Sequence, residues 1–323
     1  MFAHQLRYNE PYARYCARIG VTLSSLPDSW EGIVPVPAGA FKEAALSTFD
    51  AATAALVFET SGTSRGTSGR HYFETSALYD ASLLAGFDRF VLADGARLRY
   101  FNLVPNPAER PQSSLGYMMA RIGVTRGDGA AGWYVGGDDL LVESLEIDLQ
   151  TAIAQGRPVC LAATAFALVR LLESMEERGV RFALPAGSRV METGGFKGKT
   201  RVVAREALYA TICDRLGLQR AAIFSEYGMT ELASQYYDAP PASGRKAAPP
   251  WLRARAVGLG GETLPLGVTG RLVHVDLANR SSCVAIATED VGARYDDGLV
   301  LVGRDADAPA RGCSLDAEDL RAS

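Results

Sequence analysis

The sequence predicts an α/β fold, layered sheets with intervening helices, followed by a smaller β-rich subdomain. Three observations lead there. Between residues 54 and 225, short apolar runs alternate with stretches of helical spacing, as βα units require. Between 251 and 302, strand-like segments are punctuated by Gly turns at 258–261, 267–270 and 296–298. The chain has 323 residues, 48% hydrophobic and 22% charged, which is globular composition with apolar mass for one or two cores.

Each element has its own signal. Residues 8–19 have helical spacing, with Tyr8, Tyr12 and Tyr15 on an aromatic face that reads as packing. Residues 54–59 read as a buried strand and 71–74 as a second. Between them, positions 60–69 are Thr, Ser or Gly except for Arg65. A helix over 76–92, a strand over 98–104, a loop over 105–111 and a helix over 115–122 follow. Residues 132–135 are extended, 140–154 helical, 159–163 a buried strand and 166–178 a helix. Residues 188–193 form a strand ending in Gly194-Gly195, 203–216 a helix and 221–225 a strand. Residues 238–250 are rich in Pro, Ala and Gly and read as a surface loop or domain joint. The expected division is an α/β core over 1–237, that loop, a β-rich subdomain over 251–303, and a short tail over 304–323.

Composition excludes several functions. Lys and Arg number 33 and Asp and Glu 37, a net charge of −4, so a general nucleic-acid face is not expected. No apolar run approaches the ~18 residues of a membrane span. The first residues, MFAHQLRYNEPYARYC, lack an apolar signal core, so a cytoplasmic location is the expectation. The five cysteines (16, 160, 213, 283 and 313) are odd in number, widely spaced and without a CxxC, which argues against a disulfide framework or zinc knuckle. With three histidines (4, 71 and 274) and no HExxH, a protein-held catalytic zinc has few ligands to draw on. A metal, if used, is expected to arrive with the substrate.

Three segments carry chemistry. The first, Glu59 to His71, reads ETSGTSRGTSGRH. Glycines allow close backbone approach, successive N–H groups form an anion nest, and Arg65 and Arg70 supply positive charge, which is what a polyphosphate needs. No Gly-Lys-Ser/Thr follows, so this is not a Walker loop. The second, SEYGMTE (225–231), follows an apolar strand and places Thr230 and Glu231 near a strand end, where α/β sheets bind ligands. The third, ATEDVGARYDDGLVLVGRD (287–305), puts Asp290 just past a strand and a hairpin at Asp296-Asp297-Gly298. Singly, each also reads as a linker, a capped turn or an ordinary hairpin.

Together and in this order they resemble the adenylate-forming superfamily of acyl- and aryl-CoA ligases, adenylation domains and luciferases. Its TSGTTG phosphate loop is matched by Thr60, Ser61, Gly62, Thr63, Ser64, Arg65 and Gly66, and its YGxTE motif by Tyr227, Gly228, Met229, Thr230 and Glu231. Its ribose-binding Asp and its GR hinge are matched by Asp290 and by Gly303-Arg304, and Gly194-Gly195 stands where that superfamily contacts adenine. Within it the chain is most similar to the acyl-protein synthetases, the LuxE-like fatty-acid–protein ligases. Gln5, Asn9 and Tyr12, the segment Gly194-Gly195-Phe196-Lys197-Gly198, and Arg311-Gly312-Cys313-Ser314-Leu315 carry that similarity.

The resemblance implies ATP and Mg²⁺ as cofactors, Glu231 as the Mg²⁺ or adenylate contact, and Asp290 and Arg304 on the ribose. It implies acyl transfer from the adenylate to Cys313 and on to a partner such as a reductase, a carrier protein or CoA. Two departures stand out. The loop reads SGTSRGTSG and lacks the usual Lys, so Arg65 or Arg70 would supply the charge, and Arg is not a simple replacement for Lys. The sequence runs about twenty residues past Arg304, so the C-terminal lid of CoA ligases is not expected here, as the resemblance to the acyl-protein synthetases implies. A natural-product adenylase loading CoA or a carrier protein, and a non-catalytic nucleotide-binding relative, are the alternatives.

Plainer roles are expected elsewhere. Glu59 pairs with Arg70, His71 is a satisfied strand residue, and His274 lies on the exposed face of a strand. Cys16, Cys160, Cys213 and Cys283 belong to the core, and Phe166, Phe196 and Phe224 are candidates to line an acid pocket.

Overall fold

The computed structural model describes residues 1–60, 68–137, 139–194 and 204–304. In chain order the first half forms α1 (Phe2–Tyr8), α2 (Glu10–Arg18), β1 (Val36–Pro37), β2 (Leu56–Glu59), β3 (Arg70–Phe73), α3 (Ala77–Phe90), β4 (Arg99–Leu103) and α4 (Ser114–Arg126). Then come β5 (Gly132–Trp133), β6 (Val135–Gly136), β7 (Asp139–Leu140), α5 (Val142–Ala154), β8 (Val159–Thr164), α6 (Ala165–Glu177), β9 (Arg189–Thr193) and α7 (Arg205–Leu216). The last third holds β10 (Ile223–Tyr227), β11 (Tyr236–Asp238), β12 (Arg245–Ala247), β13 (Leu252–Val257), β14 (Thr269–Asp276), β15 (Ala285–Tyr295) and β16 (Gly298–Arg304). Among the described residues no helix is long and apolar enough to cross a membrane.

Contacts group the chain into two compact units that interleave along the sequence. One comprises 1–86, 229–236 and 245 onward; the other comprises 87–228 and 237–244.

The second unit is a parallel sheet in the order β10–β9–β8–β4–β5, with β11 beside β10. Alternation assigns its faces. Phe101 and Leu103 of β4, Val159, Leu161 and Ala163 of β8, Val190 of β9 and Ile223 of β10 join one core with α5, α6 and α7. The next residues along the same strands, Tyr100, Cys160 and Phe224, are buried as well. A sheet buried on both faces explains why these strands read as continuous apolar runs. Thr164, Thr193 and Glu226 lie level across β8, β9 and β10, so these strands end together.

The first unit is built on an antiparallel sheet, β13–β14–β15–β16 followed by β12, with β1 parallel to β15. Residues 251–303 do form strands, but residues 1–60 pack with them. The N-terminal contact is polar and buried. Gln5 Nε2 donates to Asn279 O (2.7 Å) and Arg280 O (3.2 Å), and its Oε1 accepts from Val284 N (2.8 Å). Asn9 Nδ2 donates to Ser282 O (3.3 Å), and the Tyr12 hydroxyl donates to Val34 O.

Three expectations change. The helix expected over 8–19 starts at Glu10 and is preceded by an unexpected helix, α1, because Asn9 (φ −105°, ψ 90°) leaves the helical region between them and caps α2 by accepting from Tyr12 N. The loop expected over 238–250 contains β12, where Arg245 and Lys246 pair with Val300 and Leu299. His274, expected on an exposed face, is fully buried, with Nδ1 2.8 Å from the Tyr236 hydroxyl. The run 272–276 of β14 is buried throughout, so its alternation has no solvent side.

Replacing Gln5 with Leu keeps apolar bulk but strands Val284 N and two carbonyls. Urea unfolding of Gln5→Leu is expected to show a loss of about 1–3 kcal/mol, and an unchanged midpoint would show the clamp to be dispensable.

Candidate nucleotide site

The phosphate-loop segment is described at its ends. Strands β2 and β3 pair from Leu56↔Phe73 to Glu59↔Arg70. Beyond them, Thr60 N donates to Gly69 O (2.9 Å) and Gly69 N to Thr60 Oγ1 (2.9 Å), so the ladder runs to the mouth of the loop. Glu59 and Arg70 pair at 3.0 Å, as expected. Ser61, Gly62, Thr63, Ser64, Arg65 and Gly66, like Gly195, Phe196 and Cys313, lie outside the described residues.

In the second unit, β9 leads to Gly194 and β10 to the start of the YGMTE motif. Gly194 follows Thr193 with φ +73°, a conformation that favours glycine. Tyr227 closes β10, which runs two residues beyond the expected strand, and Gly228 follows. Beneath these exits, the Thr193 hydroxyl donates to Glu226 Oε2, and Tyr209 donates to Glu192 Oε1 at 2.8 Å. Gly194 and Tyr227-Gly228 therefore leave the sheet at the same, carboxyl-terminal edge, where ligands of parallel sheets bind.

Thr230 and Glu231 belong to the first unit and sit in a dense set of hydrogen bonds. Thr230 O accepts from His71 Nδ1 (2.8 Å) and Glu231 O from Asn279 Nδ2 (2.8 Å). Two residues on, Ala233 N donates to Asp276 Oδ2 (3.0 Å) and Ser234 Oγ to Asp276 Oδ1 (2.7 Å). Ala278 N adds a third donor to Asp276 at 2.9 Å. Ser82 on α3 lies 2.8 Å from Ser234, and Trp251 Nε1 donates to both hydroxyls, at 2.8 and 3.1 Å. Glu231 itself is 9% exposed. The backbone around this carboxylate is fixed, and its chemistry is that of a hard oxygen ligand, suited to Mg²⁺.

Asp290 and Arg304 face each other across β15 and β16, with Arg304 Nε 3.7 Å from Asp290 Oδ1 and Nη2 3.3 Å from Glu289. The hairpin at Asp296-Asp297 closes between Tyr295 and Gly298, and Arg245 reaches Asp297 at 2.7 Å.

Burial tunes the titrating groups. It pushes His71 down to about 4 and His274 down to about 3, so both are neutral at pH 7. It pushes Cys16 and Cys160 up to about 12 and raises Cys213 and Cys283. Asp276 is pushed up to about 6 by burial, against the lowering pull of Ser234, Ala278 and Ala233. The sequence reading missed Asp276, Asn279 and Ser234. Their signal, a DLAN turn after an apolar strand, is common, and only their partners 42 and 48 residues away give it meaning.

The fold is that of adenylate-forming enzymes. An open conformation of 2-hydroxyisobutyryl-CoA ligase with 2-HIB-AMP and CoA aligns with a TM-score of 0.68 at 13% identity, over 96% of this chain and 74% of its own. McyG A-PCP complexed with phenylalanyl-adenylate aligns at 0.57 and 18%, over 92% and 54%. O-succinylbenzoate coenzyme A synthetase from Bacillus subtilis, with ATP and magnesium, aligns at 0.55 and 16%, over 78% and 50%. The chain spans about half the length of the latter two. A search of curated proteins gives no match. The family description "Acyl-protein synthetase, LuxE" matches residues 130–317, more than half of the chain, and the chain belongs to that family.

The raised Asp276 pKa has a definite sign. Between pH 4 and 6 the unfolded carboxyl is ionised while the folded one still holds its proton, so stability falls as pH rises through that window and is level above it. Relative to Asp276→Asn, the wild type should lose about 2 kcal/mol from pH 4 to 6 in denaturant titrations. A constant difference across that range would place the folded pKa near its ordinary value.

Proposed function

We propose that this chain activates a carboxylic acid with ATP as an acyl-adenylate and passes the acyl group to a thiol. The observation that carries the reading is Glu231. It is a nearly buried carboxylate on backbone locked by His71, Asn279 and Asp276, and His71 is on the strand that leaves the Ser/Thr/Gly-rich loop. Membership in the acyl-protein synthetase family and the adenylate-forming fold support it.

In the first step a carboxylate oxygen of the acid attacks the α-phosphorus of ATP. The new C–O–P bond forms as the α–β anhydride breaks, and pyrophosphate leaves. Thr60 to Gly66 would hold the leaving phosphates with their amides, hydroxyls and Arg65. Glu231 would take the Mg²⁺ that enters with ATP, Asp290 would accept from the ribose hydroxyls, and Arg304 would lie beside it. Gly194-Gly195 would flank adenine. In the second step a thiolate attacks the acyl carbon and AMP leaves.

Cys313 is our candidate for that thiolate. Burial holds the other four thiols above their ordinary range, which disfavours each as a nucleophile at pH 7. The fatty character of the acid, and a reductase, carrier protein or CoA as final acceptor, are further parts of the proposal. Phe166 and Phe224 remain our candidates beside the acid, Phe224 carrying Arg189 5.9 Å over its ring.

Isotope exchange between ATP and pyrophosphate, run with a panel of acids, tests the first step. Glu231→Gln should slow it about 10²–10³-fold with little change in melting temperature, and a fall under threefold would make Glu231 structural. Intact-mass measurement tests the second step. Wild type should carry a hydroxylamine-labile acyl group, while Cys313→Ser should still release pyrophosphate but carry none. A thioester at wild-type level on Cys313→Ser would remove Cys313 from the reaction.

A further inference from the structure

Two consecutive carbonyls, Thr230 O and Glu231 O, are each capped by a buried side-chain N–H at 2.8 Å, from β3 and from the turn after β14. Turn carbonyls usually bond water, so capping both by side chains fixes the orientation of two adjacent peptide planes. The direction in which Glu231 leaves the backbone is fixed with them. Building on the adenylation reading, we propose that His71 and Asn279 are positioning residues for Glu231, and that His71 ties the stem of the phosphate loop to it.

The His71 environment suits that task. Its ring is 1% exposed, with centroids 4.1 Å from Phe73 and 5.5 Å from Phe41, so its rotation is restricted. A carbonyl only accepts, so Nδ1 carries the proton, and burial keeps the ring neutral at working pH. His71 directly follows Arg70, and the β2–β3 ladder continues through Thr60 and Gly69 to the loop. A shift of that stem therefore moves the Thr230 carbonyl and the residue after it. Asn279 is held in turn by Gln5 Nε2 on its carbonyl (2.7 Å) and by its own N–H on Asp276 O (3.1 Å).

The test uses the full chain and Mn²⁺·ATP as probe, titrated by calorimetry beside metal-free ATP. In His71→Asn the amide nitrogen can occupy the place of Nδ1; in His71→Gln it is carried past it, while polarity and neutrality are kept. His71→Gln should weaken Mn²⁺·ATP about tenfold relative to metal-free ATP, the worth of one neutral hydrogen bond, and His71→Asn should stay within twofold of wild type. In a Glu231→Gln background the His71→Gln penalty should vanish, because the carboxylate it positions is gone. A penalty of equal size in that background, equal behaviour of the Asn and Gln variants, or no penalty at all would overturn the proposal. Pyrophosphate exchange by the wild type separates the two readings. If no acid supports exchange while the metal-dependent penalty persists, adenylation fails and the positioning role stands.

Discussion

One buried carboxylate, Asp276, organises the unit that carries Glu231. It closes β14 and accepts from Ala233, Ser234 and Ala278, which brings the segment after the YGMTE motif onto the antiparallel sheet. The segment 229–236 groups with this unit although its flanks on both sides group with the other. Short loops that leave one unit and return to it need something to hold them. Here apolar contact is joined by two directional bonds to a charged acceptor, each stronger than a neutral pair. Burial opposes the charge, but a pKa near 6 leaves the group ionised at neutral pH, with acceptors to spare.

From Asp276 the bonds continue outward. Asn279 donates to Glu231 O and receives Gln5 on its own carbonyl; Gln5 in turn accepts from Val284. The N-terminal helix is thus part of the support of a residue more than two hundred positions away. This gives Gln5, Asn9 and Tyr12, the residues that marked the family resemblance near the N-terminus, a physical role. Gln5 and Asn9 hold the 279–284 turn, and Tyr12 receives the Asn9 cap and bonds Val34. The relay is buried, so losing any one member strands a donor or acceptor away from water, and the cost exceeds that of a surface bond.

Much of this was legible in the sequence, for local reasons. Strands buried on both faces read as apolar runs, and the Ser/Thr/Gly run, the YGMTE motif and the DDG hairpin announce themselves by composition. Most predicted strands and helices lie within two residues of their observed bounds; the 115–122 helix is the main exception, extending to Arg126. What was illegible depends on partners. The break at Asn9 needs the Ser282 carbonyl to make its side chain worth burying. β12 needs Val300 and Leu299 opposite. His274 alternates with apolar residues as a half-exposed strand would, and only the layers around β14 make that position interior. Asp276 and Asn279 look like any polar turn until Ala233 and Glu231 arrive.

Burial also sorts the chemistry among residues of one type. A thiol reacts as thiolate, and moving that charge into an apolar interior is unfavourable, so packing a cysteine silences it without removing it. The same logic acts on the histidines. His71 and His274 are held neutral, His71 donating to a carbonyl and His274 paired with the Tyr236 hydroxyl, which fixes geometry but leaves little basicity for proton transfer. In the proposed reaction this division is useful, because adenylation needs placement of charge more than a strong base: the acid arrives ionised and pyrophosphate leaves without a proton. A protein built for that chemistry places its buried polar groups where they fix carboxylates and backbone, and the hydrogen bonds at Thr230, Glu231, Ala233 and Ser234 follow that pattern.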